Sequence, residues 1–503
     1  MTALALLLAV AEALEAAPVD RDFSASGYLR VRTDLFYDLD LNVGTTPSGQ
    51  SYFPTSAANP ADKTLTAADM RLRIDPRLDL GLGVRIRARV DVLDNVGLGS
   101  TPVALPASDE VPYSAGATAQ KAPADSLRVK RIWGEVTLPI GILAAGRMGA
   151  LVSWGTGMFV NSGDCLDCDF GDAGDRIAFE TWIADHLFLL AYDLAAVGPG
   201  VVRFGQLIDL DRSDDVRTIA FAVGRVDDAR AVARKLVSGR PVWNYGLLAS
   251  YRWQSRDAPG WYQLPPVGPF GSAAYVERDL RTGAFDGWGL YQAGPWRAEA
   301  EAVLLRGRIG DASPVPGVAF RQAITQTQVG AVARLERLGA RIAVGAELGY
   351  ASGDSAPGFG VRIGALPVPG DLDGGQAHPP GDTTVDNFLF NRDYRIDLIL
   401  WRRIIGRITD ALYVRPRLEW RPARKLVLEG NLVYSQAMEA ASTPSVTSTP
   451  LGVEVDLSAR YLYDAAFEAR LAYGVLAPLD GLRLLGRAPA PAQTIHFLTA
   501  FKF

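Results

Sequence analysis

Met70-Arg71-Leu72-Arg73-Ile74-Asp75-Pro76-Arg77-Leu78-Asp79-Leu80 alternates without a break: every even position is apolar and every odd position is charged. A period of two puts the two sets on opposite faces of a β-strand. The next segment repeats the pattern, with Val84, Ile86, Ala88, Val90 and Val92 against Arg85, Arg87, Arg89 and Asp91. An earlier segment sets Leu29, Val31, Leu35, Tyr37 and Leu39 against Arg30, Arg32, Asp34 and Asp38. Soluble strands also alternate, but they usually end after ~5–6 residues. A strand needs ~9–11 residues to cross a bilayer at a tilt. These segments have that length, so their apolar face is expected to meet lipid and their charged face a wet lumen.

The composition agrees. The chain has 503 residues, is 48% hydrophobic and 21% charged, and carries a net charge of −5. A mildly acidic balance argues against a general nucleic-acid binder. Three histidines, His186, His378 and His496, lie far apart, which disfavours multi-histidine chemistry. Two cysteines cannot staple a chain of this length. The opening MTALALLLAVAEALEAAP has a short apolar run, Leu4 to Val10, followed by small residues. Residues 1–17 therefore read as a secretory signal peptide, without the usual basic start, and 18–503 as one barrel domain. Past this segment no run approaches the ~18–20 apolar residues of a membrane helix.

Following the alternation along the chain predicts strands at 27–41, 68–80, 83–94, 127–139, 142–149, 175–184, 187–197, 216–226, 242–254, 284–293, 295–307, 320–337, 340–352, 408–421, 425–437, 451–463, 466–477 and 494–503. That is about 18, within a range of 16–20, and an even count suits a single-chain antiparallel up-and-down barrel. Long and short links alternate between them. Short ones include Gly81-Leu82-Gly83, Asp185-His186 and Asp464-Ala465; long ones include 42–67, 95–126, 150–174 and 353–407. Long loops outside and short turns on the periplasmic side are the pattern of a transmembrane barrel. One short side is enlarged by 227–240, DDARAVARKLVSGR, which reads as a small helix. Strand 242–254 carries Trp243 and Tyr245 at one end, Tyr251 and Trp253 at the other, and aliphatic residues between. That spacing fits two membrane-interface girdles around a hydrocarbon centre.

The chain ends TIHFLTAFKF, with Ile495, Phe497, Phe501 and Phe503 on one face. This resembles the C-terminal strand of bacterial outer-membrane β-barrels. The resemblance implies recognition of Phe503 and Phe501 by the barrel-assembly machinery and a location in the bacterial outer membrane. The segments VKRIWGEV (129–136), GRMGALVSWGTGMFVNSGD…DFGDAGDRIAF (146–179) and DYRIDLILWRRIIG (393–406) resemble those of an uncharacterised family of large outer-membrane barrel proteins, which implies a fold and no activity. Residues 393–406 fit a short helix as well as a strand; if helical, they belong in or over the barrel mouth.

The stretch NSGDCLDCDFGDAGDRIAF, 161–179, holds both cysteines and five aspartates. It falls in the third long loop. In porins, which this architecture resembles, that loop folds into the lumen and sets acids against a basic wall. The resemblance implies such a role for Asp164, Asp167, Asp169, Asp172 and Asp175 as pore-lining groups. The alternative is an acidic loop facing outside water. The basic wall is read from strands one to three: Arg30, Arg32, Arg71, Arg73, Arg77, Arg85, Arg87 and Arg89. Charged rings bias passage only where they reach a narrow pore; otherwise such residues serve solvation and cross-strand pairing. No cofactor is expected, although the aspartates at Asp164–Asp175 could wrap a calcium ion. Cys165 and Cys168 lack the partners of a zinc site and the βαβ context of a redox motif, and read as a loop-stiffening disulfide or inert thiols.

No Gly-x-Ser-x-Gly elbow or acid/base pair stands out, so an enzyme is not expected. The sequence therefore leads to a porin-like channel for passive diffusion of small hydrophilic solutes, embedded in outer-membrane lipid, with an oligomer open. A non-conducting scaffold that binds through its long loops is the alternative, and an enzyme on the rim comes third.

Overall fold

The computed structural model describes residues 21–43, 62–98, 101–102, 123–124, 127–149, 153–195, 215–257, 276–311, 322–360 and 382–503. The expected signal peptide, 1–17, lies outside these residues. The first three barrel strands are β1 (Asp22–Tyr37), β2 (Thr64–Gly81) and β3 (Val84–Gly97). Next come β4 (Leu127–Leu138), β5 (Gly141–Met148), β6 (Gly174–Ile183), β7 (His186–Ala195) and β8 (Val216–Arg225). A nine-residue helix, α1 (Ala229–Val237), follows, capped by the Asp228 carboxylate on the Ala231 N–H. Then come β9 (Val242–Gln254), β10 (Leu280–Ala293), β11 (Trp296–Ile309), β12 (Ile324–Arg337) and β13 (Ile342–Ala351). The last five are β14 (Ala411–Ala423), β15 (Leu426–Ala437), β16 (Pro450–Leu462), β17 (Phe467–Pro478) and β18 (Ala492–Lys502).

Each strand pairs antiparallel with its neighbour in sequence, and β1 closes on β18 through Leu29↔Phe501 to Tyr37↔Gln493. The sheet has 19 strands, of which Thr384–Val385 is a two-residue parallel addition to β12. Removing that addition leaves 18 strands in a closed ring with no free edge. The sequence expectation for every strand overlaps an observed one, and 227–240 does hold a helix.

The outer surface is apolar along its height. Leu247 is 63% and Trp243 58% exposed, and Ile177, Leu190, Phe221, Phe285, Leu335, Leu418, Leu457 and Leu471 are exposed as well. Water would not tolerate a belt of this extent on one monomer; hydrocarbon would. Aromatics mark the belt's short-turn edge. Trp182, Trp243, Tyr245, Tyr291, Trp296, Trp420, Tyr461, Phe501 and Phe503 are all exposed there, and the Trp243 and Tyr291 rings lie 4.6 Å apart. Tyr251 is exposed and Trp253 partly exposed at the far edge of β9. No helix among the described residues is long and apolar enough to cross a membrane. The strands make the crossing. Leu247→Arg, at mid-belt, is expected to cost about 2–4 kcal/mol. Urea unfolding from lipid vesicles would measure it, and an unchanged midpoint would mean that this face does not meet lipid.

Candidate functional site: two inward segments meeting an arginine wall

The inner face begins with the same alternation. On β1 the even residues Arg30, Arg32, Asp34 and Phe36 are buried while Leu29, Leu35 and Tyr37 face out. Arg71 and Arg73 on β2, Arg89 and Asp91 on β3, and Arg131, Trp133 and Glu135 on β4 extend this wall. Some of these charges are spent within the wall. Arg73 forms a fork on Asp91 at 2.7 and 2.8 Å, and Arg89 one on Asp75 at 2.7 and 3.0 Å. Nearer the short turns, Arg77 and Arg85 pair with Asp79 and Arg87 with Glu135. These three arginines lie nearer the short turns and pair with carboxylates of the wall.

The loop between β5 and β6 folds into the lumen, and its own backbone explains the shape. Asn161 and Asp172 close its base: Asp172 N–H donates to the Asn161 carbonyl at 2.9 Å, and Asn161 N–H to Asp172 Oδ2 at 2.7 Å. Gly163 has φ +69°, and a Cβ there would sit 2.4 Å from the Phe170 carbonyl. Only glycine lets the two arms pass this closely. At the tip, Cys165 and Cys168 form a disulfide with Cα atoms 5.0 Å apart. Of the two readings left open for the cysteines, the loop-stiffening bond is the one observed.

This tip meets the arginine wall. Asp169 accepts from Arg32 Nη1 at 2.9 Å, Arg71 Nη2 at 3.0 Å and Arg30 Nη1 at 3.2 Å. Asp167 accepts from Arg32 Nη1 at 3.1 Å, and Asp164 pairs with Arg89. Backbone carbonyls take the other guanidinium hydrogens: Leu166 O from Arg30, Cys168 O from Arg71, Gly163 O from Arg73 and Ser162 O from Arg131. The aspartates therefore face the basic wall. Two members of the stretch differ. Asp172 belongs to the loop base, where it also accepts from Asn391 Nδ2 at 3.0 Å. Asp175 opens β6 on the same face as the exposed Ile177 and forks with Arg147 at 2.8 Å. It points outward, so its reading as a pore-lining group is corrected. These carboxylates converge on guanidinium groups rather than on one another. Among the described residues no group of three or more His, Cys, Asp or Glu could hold a metal ion.

A second segment, residues 386–410, also lies within the barrel. It contains one π-helical turn, Leu400–Ile405. Phe388, Phe390, Ile396, Leu398, Ile399, Leu400, Trp401, Ile404 and Ile405 pack with Phe36, Tyr413, Val433, Ala472 and Leu476 of the inner wall. Gly330 on β12 admits the Phe388 ring, which would stand 2.2 Å from a Cβ at that position. Polar anchors fix the segment. Glu454 on β16 accepts the N–H groups of Leu398, Ile399 and Leu400 at 2.9, 2.7 and 3.0 Å. Glu347 on β13 accepts from Tyr394, Tyr413, Arg334 and Arg415. Trp401 Nε1 donates to Ser435 Oγ at 2.9 Å. Asp397 takes the Trp401 and Arg402 N–H groups; burial, then Glu454 nearby, pushes its carboxyl well above the ordinary range.

The two segments join at Asp167. Its Oδ2 is 2.7 Å from Arg402 Nη2, 3.3 Å from Arg395 Nη1 and 3.5 Å from His496 Nε2. Burial alone would raise this carboxyl, but Arg402 and Arg395, with His496 and Arg32 beside them, hold it well below the ordinary range. Asp393 adds a second link by accepting the Asp169 and Phe170 N–H groups at 3.1 and 3.0 Å. Beneath the junction His496 Nδ1 lies 2.6 Å from Asp34 Oδ1, and Arg403 binds the other oxygen at 3.0 Å. On β18 Ile495 and Phe497 face lipid and His496 faces the lumen. On the short-turn side of the junction lies a polar cavity of about 360 Å³, lined by Ser24, Ser26, Arg77, Arg87, Arg89, Trp133 and Asp164 among others.

Comparison with protein-family models finds no match, and comparison with curated proteins finds none. Among solved structures the chain is similar to OccK2 (OpdF) of Pseudomonas aeruginosa, with TM-score 0.47 and 11% identity over 95% of this chain and 98% of that one. A BenF-like porin from Pseudomonas fluorescens Pf-5 gives TM-score 0.47 and 9% identity over the same shares. OmpT, an outer membrane protein of Vibrio cholerae, gives TM-score 0.36 and 10% identity over 97% of this chain and all of that one. The barrel assignment rests on the chain's own strand pairing and apolar belt. In architecture the chain is a closed antiparallel β-barrel of 18 strands with an apolar outer belt.

Proposed function

We propose that this barrel is a channel for passive diffusion of small hydrophilic solutes and not an enzyme. One observation carries the reading: an inward loop brings Asp164, Asp167 and Asp169 into the lumen, where they pair directly with Arg30, Arg32, Arg71 and Arg89 of the wall and so fix the loop across the passage. A loop pinned in this way narrows a wet passage, which then sieves solutes by size and by the charge left facing the water, with no turnover. An 18-strand ring is wide enough to enclose an aqueous path. Within this reading the arginines and aspartates hold the sieve, lipid surrounds the apolar belt, and Phe501 and Phe503 on the last strand serve assembly.

A second reading is favoured by the apolar packing of residues 388–405 against β12 to β18, which suits a plugged scaffold better than an open pore. Planar bilayers separate the two. The channel reading expects stepwise unitary currents from the purified, folded protein. A barrel with heat-modifiable gel migration that gives no current at any voltage would sink it and leave the scaffold.

A further inference from the structure

The Cys165–Cys168 bridge closes the turn whose residues hold the junction together. Between and beside the two sulfurs lie the Leu166 and Cys168 carbonyls and the Asp167 and Asp169 carboxylates, which bind Arg30, Arg32, Arg71, Arg395 and Arg402. The two ends of the bridge differ. Cys165 is exposed, whereas Cys168 is 3% exposed behind it. The polar cavity on the short-turn side reaches Asp164, the residue next to Cys165. On the Cys168 side, Arg71 Nη1 sits 2.8 Å from the Cys168 carbonyl and Arg30 Nη1 2.9 Å from that of Leu166.

We propose that this disulfide is a thiol–disulfide exchange site for a small dithiol entering from the short-turn side, and that its reduction releases the Asp167 junction. Exchange proceeds by attack of a thiolate on one sulfur and departure of the other. Cys165 is the exposed end of the bridge and Cys168 the buried one, so attack falls on Cys165 Sγ. A thiolate of the dithiol bonds to it, the S–S bond breaks, and Cys168 leaves as a thiolate. Exchange of this kind is faster the more acidic the leaving thiol. The second thiol of the reductant then attacks its own sulfur in the mixed disulfide, expelling Cys165 and closing a cyclic disulfide. Two electrons pass from the dithiol to the protein, and its two protons end on Cys165 and Cys168.

A cavity of about 360 Å³ admits a small molecule and excludes a folded protein dithiol. Once the bridge is open, the turn is no longer held to present Asp167 and Asp169 together. Thr156 still binds Glu301, and the Asn161–Asp172 base is intact, so the change is confined to the tip. The gating consequence rests on the channel reading; the exchange itself does not.

The test uses the full-length barrel folded in detergent, treated with dithiothreitol, alkylated and weighed by mass spectrometry. Two alkyl groups are expected on the folded protein, and none when a protein dithiol replaces dithiothreitol. In bilayers, dithiothreitol is expected to shift the unitary conductance to a higher level that an oxidant reverses. A double C165S/C168S variant should sit at that level and ignore the reagent. Folded protein that is alkylated only after heat unfolding would overturn the exchange site. A conducting barrel that is alkylated yet unchanged in conductance would overturn its coupling to the junction. A barrel that never conducts fails the channel reading alone, and the mass result still decides the exchange.

Discussion

Asp167→Ala is expected to destabilise the lumen network by about 3–5 kcal/mol, the usual cost of removing one partner from a buried ion cluster. The Asp167 side chain is 12% exposed, and it faces Arg32, Arg395, Arg402 and His496. Alanine leaves the three arginines facing one another with Asp169 as a remaining loop counter-charge. Because Asp167 is where the two inward segments meet, the loss should also show as a noisier and larger unitary current. The wild-type response to acid has a definite sign. The folded carboxyls of Asp167 and Asp169 lie below their unfolded value of about 3.9. Their stabilising contribution is therefore present above that value and is lost only as pH falls through the lower, folded one. Acidification to about pH 4 should leave the Asp167 and Asp169 ion pairs charged. Equal urea midpoints for wild type and variant would remove Asp167 from its place as the junction.

The barrel was legible in the sequence because its rule is local. A strand such as Met70–Leu80 reports its two faces through alternation alone, and the link lengths report which end is which. Alternation does not say what faces what across a lumen. It placed Arg30 and Arg71 inside, and the inward-folding loop had to be added by resemblance to porins. It also separates residues that composition lumps together. Asp175 belongs to the acidic stretch by composition but to the outer face by register, opposite Arg147 on β5. His496 was passed over because its neighbours are apolar, although period two puts it on the other side from them.

The larger omission was the second inward segment. Arg395, Arg402 and Arg403 were not read as site residues, nor were Glu347 and Glu454 on the facing strands. A signal was present in Ile396, Leu398, Ile399, Leu400, Trp401, Ile404 and Ile405. Such a run in an extracellular link must be hidden from water, and a loop that cannot hide in lipid has the lumen as its refuge. Charged residues within that run then need partners on the inner wall.

Replacing residues 393–405 with a glycine-serine linker is expected to raise the unitary conductance several-fold while leaving the barrel folded. The strand ladder and the lipid-facing belt do not depend on the segment. Its contacts are with the inner faces of β12 to β18 and β1, through Glu347, Glu454, Ser435 and Asp34, and with the inward loop at Asp167, Asp169 and Phe170. Once it is gone, those carboxylates stand in a wider aqueous lumen where hydration replaces the lost hydrogen bonds. The core of Trp401, Ile404 and Phe36 is lost with it, so a burial cost falls on the lumen and not on the membrane belt. Heat-modifiable migration reads the fold and planar bilayers read the current. A folded variant with an unchanged current would mean that the path through the barrel runs clear of this segment, along the Arg30–Arg89 wall alone. A variant that conducts where the wild type is silent would mean that the segment is a plug and that the native barrel is the scaffold of the second reading. The same two measurements thus assign the limiting step of passage to one inward segment or the other.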